Sequence, residues 1–249
     1  ITLMAIEKIN AEDVIVYDDL ANKKFLEYAK EGAEVIYVGK RGGCHTMPQK
    51  EINDILLRKA KEGKVVARVK GGDPFIFGRG GEEAEALVDA GIPFEVVPGV
   101  TAGVAAPAYA GIPITHRDFT TTATFITGHE NPTKAESNLY WDRIATGVGT
   151  IVFFMGMARL EENMNKLMEN GRDPKTPVAL IRWGTTPEQE TLVGTVADIT
   201  AKARAANFKP PAITVVGGVV SLREKLKWYD TRPLFGKRVV VTRAREQAS

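Results

Sequence analysis

Short runs of aliphatic and β-branched residues alternate with stretches of helical periodicity through the first half of the chain. Leu3, Ile6 and Ile9 share one helical face, so residues 2–10 are predicted as a helix. Val14–Tyr17 reads as a strand, 22–31 as a helix and 34–38 as a second strand. A glycine-rich loop then leads to a helix over 49–62, a strand over 65–70, a loop over 71–80 and a helix over 81–90. Residues 94–97 read as a further strand and 101–110 as a helix. The strands are almost wholly apolar instead of alternating. A strand covered by helices on both faces has this composition, so the pattern predicts a parallel α/β sheet.

After Pro113 the pattern changes. Residues 120–127 are threonine-rich and β-prone, 151–155 form a buried-type strand, and 159–170 form a helix closed by Gly171. Strands over 177–182 and 189–194, a helix to about residue 206 and a strand over 212–216 follow. Several of these strands succeed one another without a helix, which predicts a mixed sheet. The change falls near 112–117 and gives an N-terminal lobe over 1–115 and a C-terminal lobe over 116–232. Residues 233–249 read as a third unit, in which Val239, Val240 and Val241 begin the first strand of a further domain. Ile1 is no initiator, and a strand pattern runs almost to the last residue. Both ends are therefore expected to be cut from a longer chain.

A chain of 249 residues can bury a sizeable core. Lys and Arg number 33 against 31 Asp and Glu, and a net charge of +2 gives no global field for nucleic acid. An acidic ligand would need a local basic cluster. Cys44 is the single cysteine, so there is no intrachain disulfide and no zinc-type ligand spacing, and a reducing, cytoplasmic compartment fits. The longest apolar stretch, 102–114, is broken by Pro107 and Pro113 and is too short for a membrane span.

Ligands of parallel sheets bind beyond the carboxyl ends of strands. Four such places stand out. Asp18, just past the first strand, is placed as a base or as a turn cap. Gly39-Lys40-Arg41-Gly42-Gly43, with His45, Gln49 and Asn53 beyond, offers close main-chain approach and positive charge, or a solvated loop. In 70–80, Gly71, Gly72 and Asp73 make a turn, while Phe75, Ile76 and Phe77 are apolar where a loop should be polar, as in a pocket wall. Finally, Pro98, Gly99, Thr101 and Ala102 open a helix directly after a strand, which exposes main-chain N–H groups. No Gly-x-Gly-x-x-Gly follows a strand, which weighs against a nucleotide-dependent oxidoreductase, and there is no serine elbow.

Taken together, residues 13–18, 38–49, 69–83, 97–117, 127–130, 153–156, 182–185 and 211–217 resemble the tetrapyrrole methylase family, over nearly all of 1–230. The resemblance implies a two-lobed α/β fold with the cofactor in the cleft between lobes, usually in a homodimer. It implies methyl transfer from S-adenosyl-L-methionine to carbon of a tetrapyrrole, leaving S-adenosyl-L-homocysteine. Gly71, Gly72, Asp73, Ile76, Thr101, Ala102, Met155, Gly184 and Ala212 match cofactor contacts. Asp18 matches a proton acceptor and Lys40 a proton donor. The family also opens with a strand and a glycine- and proline-rich loop before the helix that starts here near Thr2. Residues 236–243 resemble the start of a uroporphyrinogen III synthase. A later precorrin methylase, a diphthine synthase or a non-catalytic ligand-binding protein are the competing readings.

Methyl transfer to a pyrrole carbon leaves a ring-system proton to be removed, so a base beside the ring is useful. The substrate's carboxylates call for cations. Candidates are Lys40, Arg41, His45, Arg79, His116 and Arg117, with Arg41, His45, Gln49 and Arg117 taken as the substrate-binding set. No metal, nucleic acid or membrane partner is expected.

Overall fold

A computed structural model describes residues 1–39, 47–129, 138–240 and 242. The chain divides into two compact units, Ile1–Ala102 and Gly103–Ser249.

In the first unit, α1 (Leu3–Ala11) starts at Thr2, whose hydroxyl accepts from the Ala5 N–H at 3.2 Å. Three strands follow, β1 (Val14–Tyr17), β2 (Glu34–Tyr37) and β3 (Val66–Val69), with α2 (Gln49–Lys61) before β3 and α3 (Gly80–Asp89) after it. The sheet order is β2-β1-β3 and both pairings are parallel, with Val14 opposite Glu34 and Val66. β1 is the middle strand, and this is why Val14, Ile15 and Val16 are all apolar and buried. α2 presents Ile52 and Leu56, four apart on one face, to Val14, Val16 and Val38.

Two expectations fail in this unit. Residues 22–31 hold only a 3-10 turn, Lys23–Tyr28, with the Asn22 side chain capping Lys24 N–H at 3.0 Å. No residue of that turn is buried, so no apolar stripe drives a longer helix. Residues 94–97 form no strand. Phe94 and Glu95 are exposed, and β3 pairs only with β1 among the described residues. An apolar run becomes a strand only when a neighbouring backbone shares its hydrogen bonds.

In the second unit, α4 (Ala102–Tyr109) precedes β4 (Ala123–Thr127), α5 (Trp141–Gly147), β5 (Thr150–Phe154) and α6 (Leu160–Glu169). Then come β6 (Pro177–Arg182), β7 (Glu190–Thr195), α7 (Ile199–Ala205), β8 (Ala212–Val216) and α8 (Arg223–Leu226). The five-stranded sheet has order β4-β5-β8-β6-β7. β4 and β5 are parallel, while β8 lies antiparallel between β5 and β6, so the sheet is mixed as predicted. Both faces are buried. Ile151, Phe153, Val178 and Leu180 meet Met164, Leu167 and Ile199. Their alternates Val152, Ala179 and Ile181 meet Ala106, Ala110 and Val219. α4, read from sequence with the first lobe, thus packs in the second unit's core. Its small residues allow close approach to the sheet. α6 buries Leu160, Met164 and Leu167 and ends at Gly171, whose φ of +94° suits glycine. The tail departs from expectation. Val239 and Val240 are exposed and form no strand, having no ladder partner among the described residues. Residues 241 and 243–249, and with them the rest of that predicted strand, lie outside the described residues.

Arg172 ties α5 to β5. Its guanidinium donates to the carbonyls of Ala145 at 3.0 Å, Val148 at 2.9 Å and Gly149 at 3.1 Å. Arg172→Met leaves those carbonyls without their donor and is expected to cost about 2 kcal/mol, lowering Tm by about 5 °C in thermal denaturation. An unchanged Tm would mean that water replaces the guanidinium at no cost. No helix among the described residues is long and apolar enough to cross a membrane.

Candidate active site

The three parallel strands of the first unit end on one edge, and chemistry collects there. Asp18 directly follows β1. Its Oδ1 accepts from Leu20 N–H at 3.1 Å and its Oδ2 from Arg68 Nη2 at 2.7 Å. Arg68 sits on β3 beside β1, opposite Val16 in the register. Its Nε donates to Glu83 Oε1 at 3.2 Å and its Nη1 to Val69 O at 2.8 Å. Lys70 donates to both Glu83 oxygens, at 2.9 and 3.0 Å. Gln49, the first residue of α2, gives its amide N–H groups to Glu83 Oε1 at 3.1 Å and Asn53 Oδ1 at 3.0 Å. That engagement turns Gln49 toward Glu83. Burial, and then Arg68 alongside, hold the Lys70 ammonium below its ordinary pKa.

Arg68, Lys70 and Glu83 were missed in the sequence, although a signal was present. Arg68 and Lys70 are two apart in a strand predicted to be covered, so they share a face. Buried cations require a carboxylate partner. Glu83, buried on α3, supplies it.

Beyond β3 the chain turns tightly. A Cβ on Gly71 would lie 2.5 Å from Leu20 O, so only glycine passes there. Gly72, at φ +77°, faces Thr101 and Ala102: its Cβ position is 3.6 Å from Thr101 Cα and from Ala102 N. Asp73 joins the two turns. Its Oδ1 accepts from Phe75 N–H at 2.9 Å and its Oδ2 from Gly99 N–H at 2.9 Å. Gly71, Gly72, Asp73, Thr101 and Ala102 are thereby brought together, and Ile76 follows half-buried, its N–H on Asp73 O at 3.3 Å. Phe75 and Phe77 are exposed, and Phe77 has a left-handed φ of +52°.

The second unit gathers its candidates on one sheet edge. β5 and β6 run in the same direction on either side of β8, so their carboxyl ends flank the start of β8, where Ala212 pairs with Arg182. Met155 leaves β5 at φ +54°, and Trp183 and Thr185 leave β6 at +49° and +73° around Gly184. Left-handed backbone at non-glycine residues is costly and marks sites where geometry is imposed. Met155 and Trp183 are also exposed, at 55% and 46%. Gly184 is close-packed, since a Cβ there would sit 2.5 Å from Ala106 Cβ. Two residues not singled out from sequence hold this loop. Buried Gln189 accepts from Thr185 N–H at 3.0 Å and donates to Tyr109 O at 3.3 Å, and Tyr229 donates to Thr185 O at 3.2 Å. Arg117 stands apart. Its exposed turn contacts the other edge of this sheet, where Thr120 and Thr122 meet Gly149 before β5. Lys40, Arg41 and His45 lie outside the described residues.

Residues 1–200 match the family described as Tetrapyrrole (Corrin/Porphyrin) Methylases. The chain belongs to the tetrapyrrole methylase family. This methylase is 55% identical over 226 residues to the S-adenosyl-L-methionine-dependent uroporphyrinogen III methyltransferase of Methanosarcina barkeri (strain Fusaro / DSM 804), spanning 91% of this chain and 89% of that one. It is 47% identical over 231 residues to a uroporphyrinogen-III C-methyltransferase of Bacillus subtilis (strain 168), spanning 93% and 90%. Among solved structures, the uroporphyrin-III C-methyl transferase of Thermus thermophilus, complexed with S-adenyl homocysteine, superposes with a TM-score of 0.74 at 32% identity, over 89% of this chain and 93% of that one. The tetrapyrrole methylase therefore has relatives that match it nearly end to end.

Proposed function

We propose that the chain transfers methyl groups from S-adenosylmethionine to carbon atoms of uroporphyrinogen III, giving precorrin-2 through precorrin-1. The observation that carries this is the 55% identity to an enzyme named for that reaction. The donor's sulfonium supplies an electrophilic methyl group. The residues present suit such a ligand. The Gly71–Asp73 and Thr101–Ala102 turns approach each other through main chain, with Gly72 against Thr101 and Ala102, and Gly184 and Ala212 lie at the second sheet edge, so main-chain groups of small residues are what these places offer a ligand. Asp73 fixes the first pair of turns through one main-chain N–H on each oxygen, and each oxygen keeps a second lone pair with which to meet the donor.

Asp18 acts on the substrate side. As a carboxylate ordered by Leu20 N–H and Arg68, it accepts the proton released after carbon is methylated. Lys40 returns a proton or orients a substrate carboxylate. Arg41 and His45, with Arg79, supply charge for the remaining carboxylates. The protein works as a cytoplasmic homodimer in the branch leading to sirohaem or cobalamin.

The test is direct. Purified protein with S-adenosylmethionine and uroporphyrinogen III should release S-adenosylhomocysteine in step with methyl mass increments on the tetrapyrrole. Turnover with a later precorrin, and none with uroporphyrinogen III, would assign the chain to another branch of the family.

A further inference from the structure

Glu83 is the most buried carboxylate of the first unit's site, 5% exposed, and no step of the proposed reaction uses it. It holds two cations: Arg68 Nε at 3.2 Å and Lys70 Nζ at 2.9 Å. Arg68 in turn holds Asp18 at 2.7 Å. The order Asp18, Arg68, Glu83, Lys70 alternates in sign, and the charges sum to zero. Arg68 and Lys70 are themselves largely buried, with side chains 12% and 9% exposed. In such surroundings each charge is felt strongly by its neighbours. We infer that Glu83 is a positioning residue for Asp18: by sharing Arg68 and neutralising Lys70, it aims the guanidinium and sets how readily Asp18 takes a proton. This deepens the reading of Asp18 as the base and rests on it.

The arrangement gives signed expectations. With Glu83 made neutral, Asp18 faces an excess of one positive charge. Its carboxylate is then favoured and becomes a weaker base. With Lys70 made neutral and Glu83 kept, the excess is negative and Asp18 holds a proton more firmly. Removing both restores balance. Among the described residues, the other groups facing this quartet are Tyr17, Asp19 and Tyr37 from the ends of β1 and β2, Glu82 and Arg79 at the start of α3, and the uncharged amides of Gln49 and Asn53 on α2. Arg79 pairs with Glu82 at 3.2 Å. Tyr37 donates to Asp19, a bond that pushes its pKa up to about 12, so it stays protonated through an assay from mildly acidic to mildly alkaline pH. The loop over 40–46 is common to every variant compared, so differences between variants report the quartet.

The experiment measures kcat against pH for the full chain carrying Glu83→Gln, Lys70→Met or both, with S-adenosylmethionine and uroporphyrinogen III saturating. Glu83→Gln should move the acidic limb of kcat down by about one pH unit and Lys70→Met should move it up by a similar amount. The double variant should return the limb to within about 0.3 unit of the parent, the two effects cancelling through a shared site. The plateau of Glu83→Gln should fall about three- to tenfold as the base weakens, with KM for the methyl donor changed less than about twofold. A residue that only supports the fold would lower Tm and leave the limb in place. Limbs that stay put, or move in the same direction in both single variants, overturn the inference. Should Glu83→Gln fail to fold, Lys70→Met against the double variant carries the test, and equal limbs in those two overturn it. Asp18→Asn separates the two levels. If it turns over normally, the base assignment itself is wrong. If it is inactive while the limbs do not move, the assignment of Glu83 alone fails.

Discussion

Asp18→Asn is expected to lower kcat by about 10²–10⁴-fold, the range a positioned proton acceptor contributes. Asparagine keeps the shape and an acceptor oxygen for the Leu20 N–H, which Asp18 holds at 3.1 Å. It removes the charge that meets Arg68 and the capacity to take up a proton. Because Asp18 follows β1 directly and is fixed by its own turn, the strand and its neighbours should be undisturbed. Binding of S-adenosylhomocysteine, measured by calorimetry, should therefore stay within about twofold of the parent. The loss belongs to the chemical step, so it should persist when both substrates saturate. Turnover within about threefold of the parent would exclude Asp18 as the base.

Gly99→Ala should give the largest loss of ligand affinity. A Cβ on Gly99 would fall within the van der Waals boundary of the Gly72 carbonyl oxygen, and both are backbone atoms that no rotamer change can move aside. The Asp73 bridge closes the same contact, with Gly99 N–H 2.9 Å from Oδ2. The two turns must part for the methyl group to fit, at a cost of about 1–3 kcal/mol, typical of overpacking. As these turns are the proposed floor for the methyl donor, S-adenosylhomocysteine should bind at least about tenfold more weakly, the equivalent of about 1.4 kcal/mol. Gly81→Ala is the control. It lies in the first turn of α3 with nothing within 4 Å of its Cβ position, and it should be neutral or slightly stabilising. Equal affinity in Gly99→Ala and Gly81→Ala would place the donor elsewhere.

Strands buried on two faces were the most readable part of the sequence. Val14–Tyr17, Pro177–Arg182 and Ala212–Val216 fall where their apolar runs predict, because such runs have few alternatives. Residues 94–97 carry the same kind of run and form no strand, since pairing depends on a neighbour that composition does not reveal. Helix α5 went unread: seven residues, with Ala145 its only fully buried one, leave little periodicity. At the site, the glycine turns were legible because glycine marks close approach. The Met155 and Trp183 bends were not, as those residue types carry no preference for left-handed backbone. Half of the charge quartet sat in plain view as Arg68 in β3 and Lys70 just past it, yet Glu83 lies on a helix thirteen or more positions later, and only the fold brings it back.

The placement of β8 has a consequence for biosynthesis. The strand at the centre of the second unit's sheet is the last of the five to leave the ribosome. Until it emerges, β5 and β6 lack the backbone that joins them, and two half-built ladders must wait with their inner edges unpaired. A chain that ends before Ala212 therefore leaves two open strand edges, and the last strand closes both by pairing with β5 and β6.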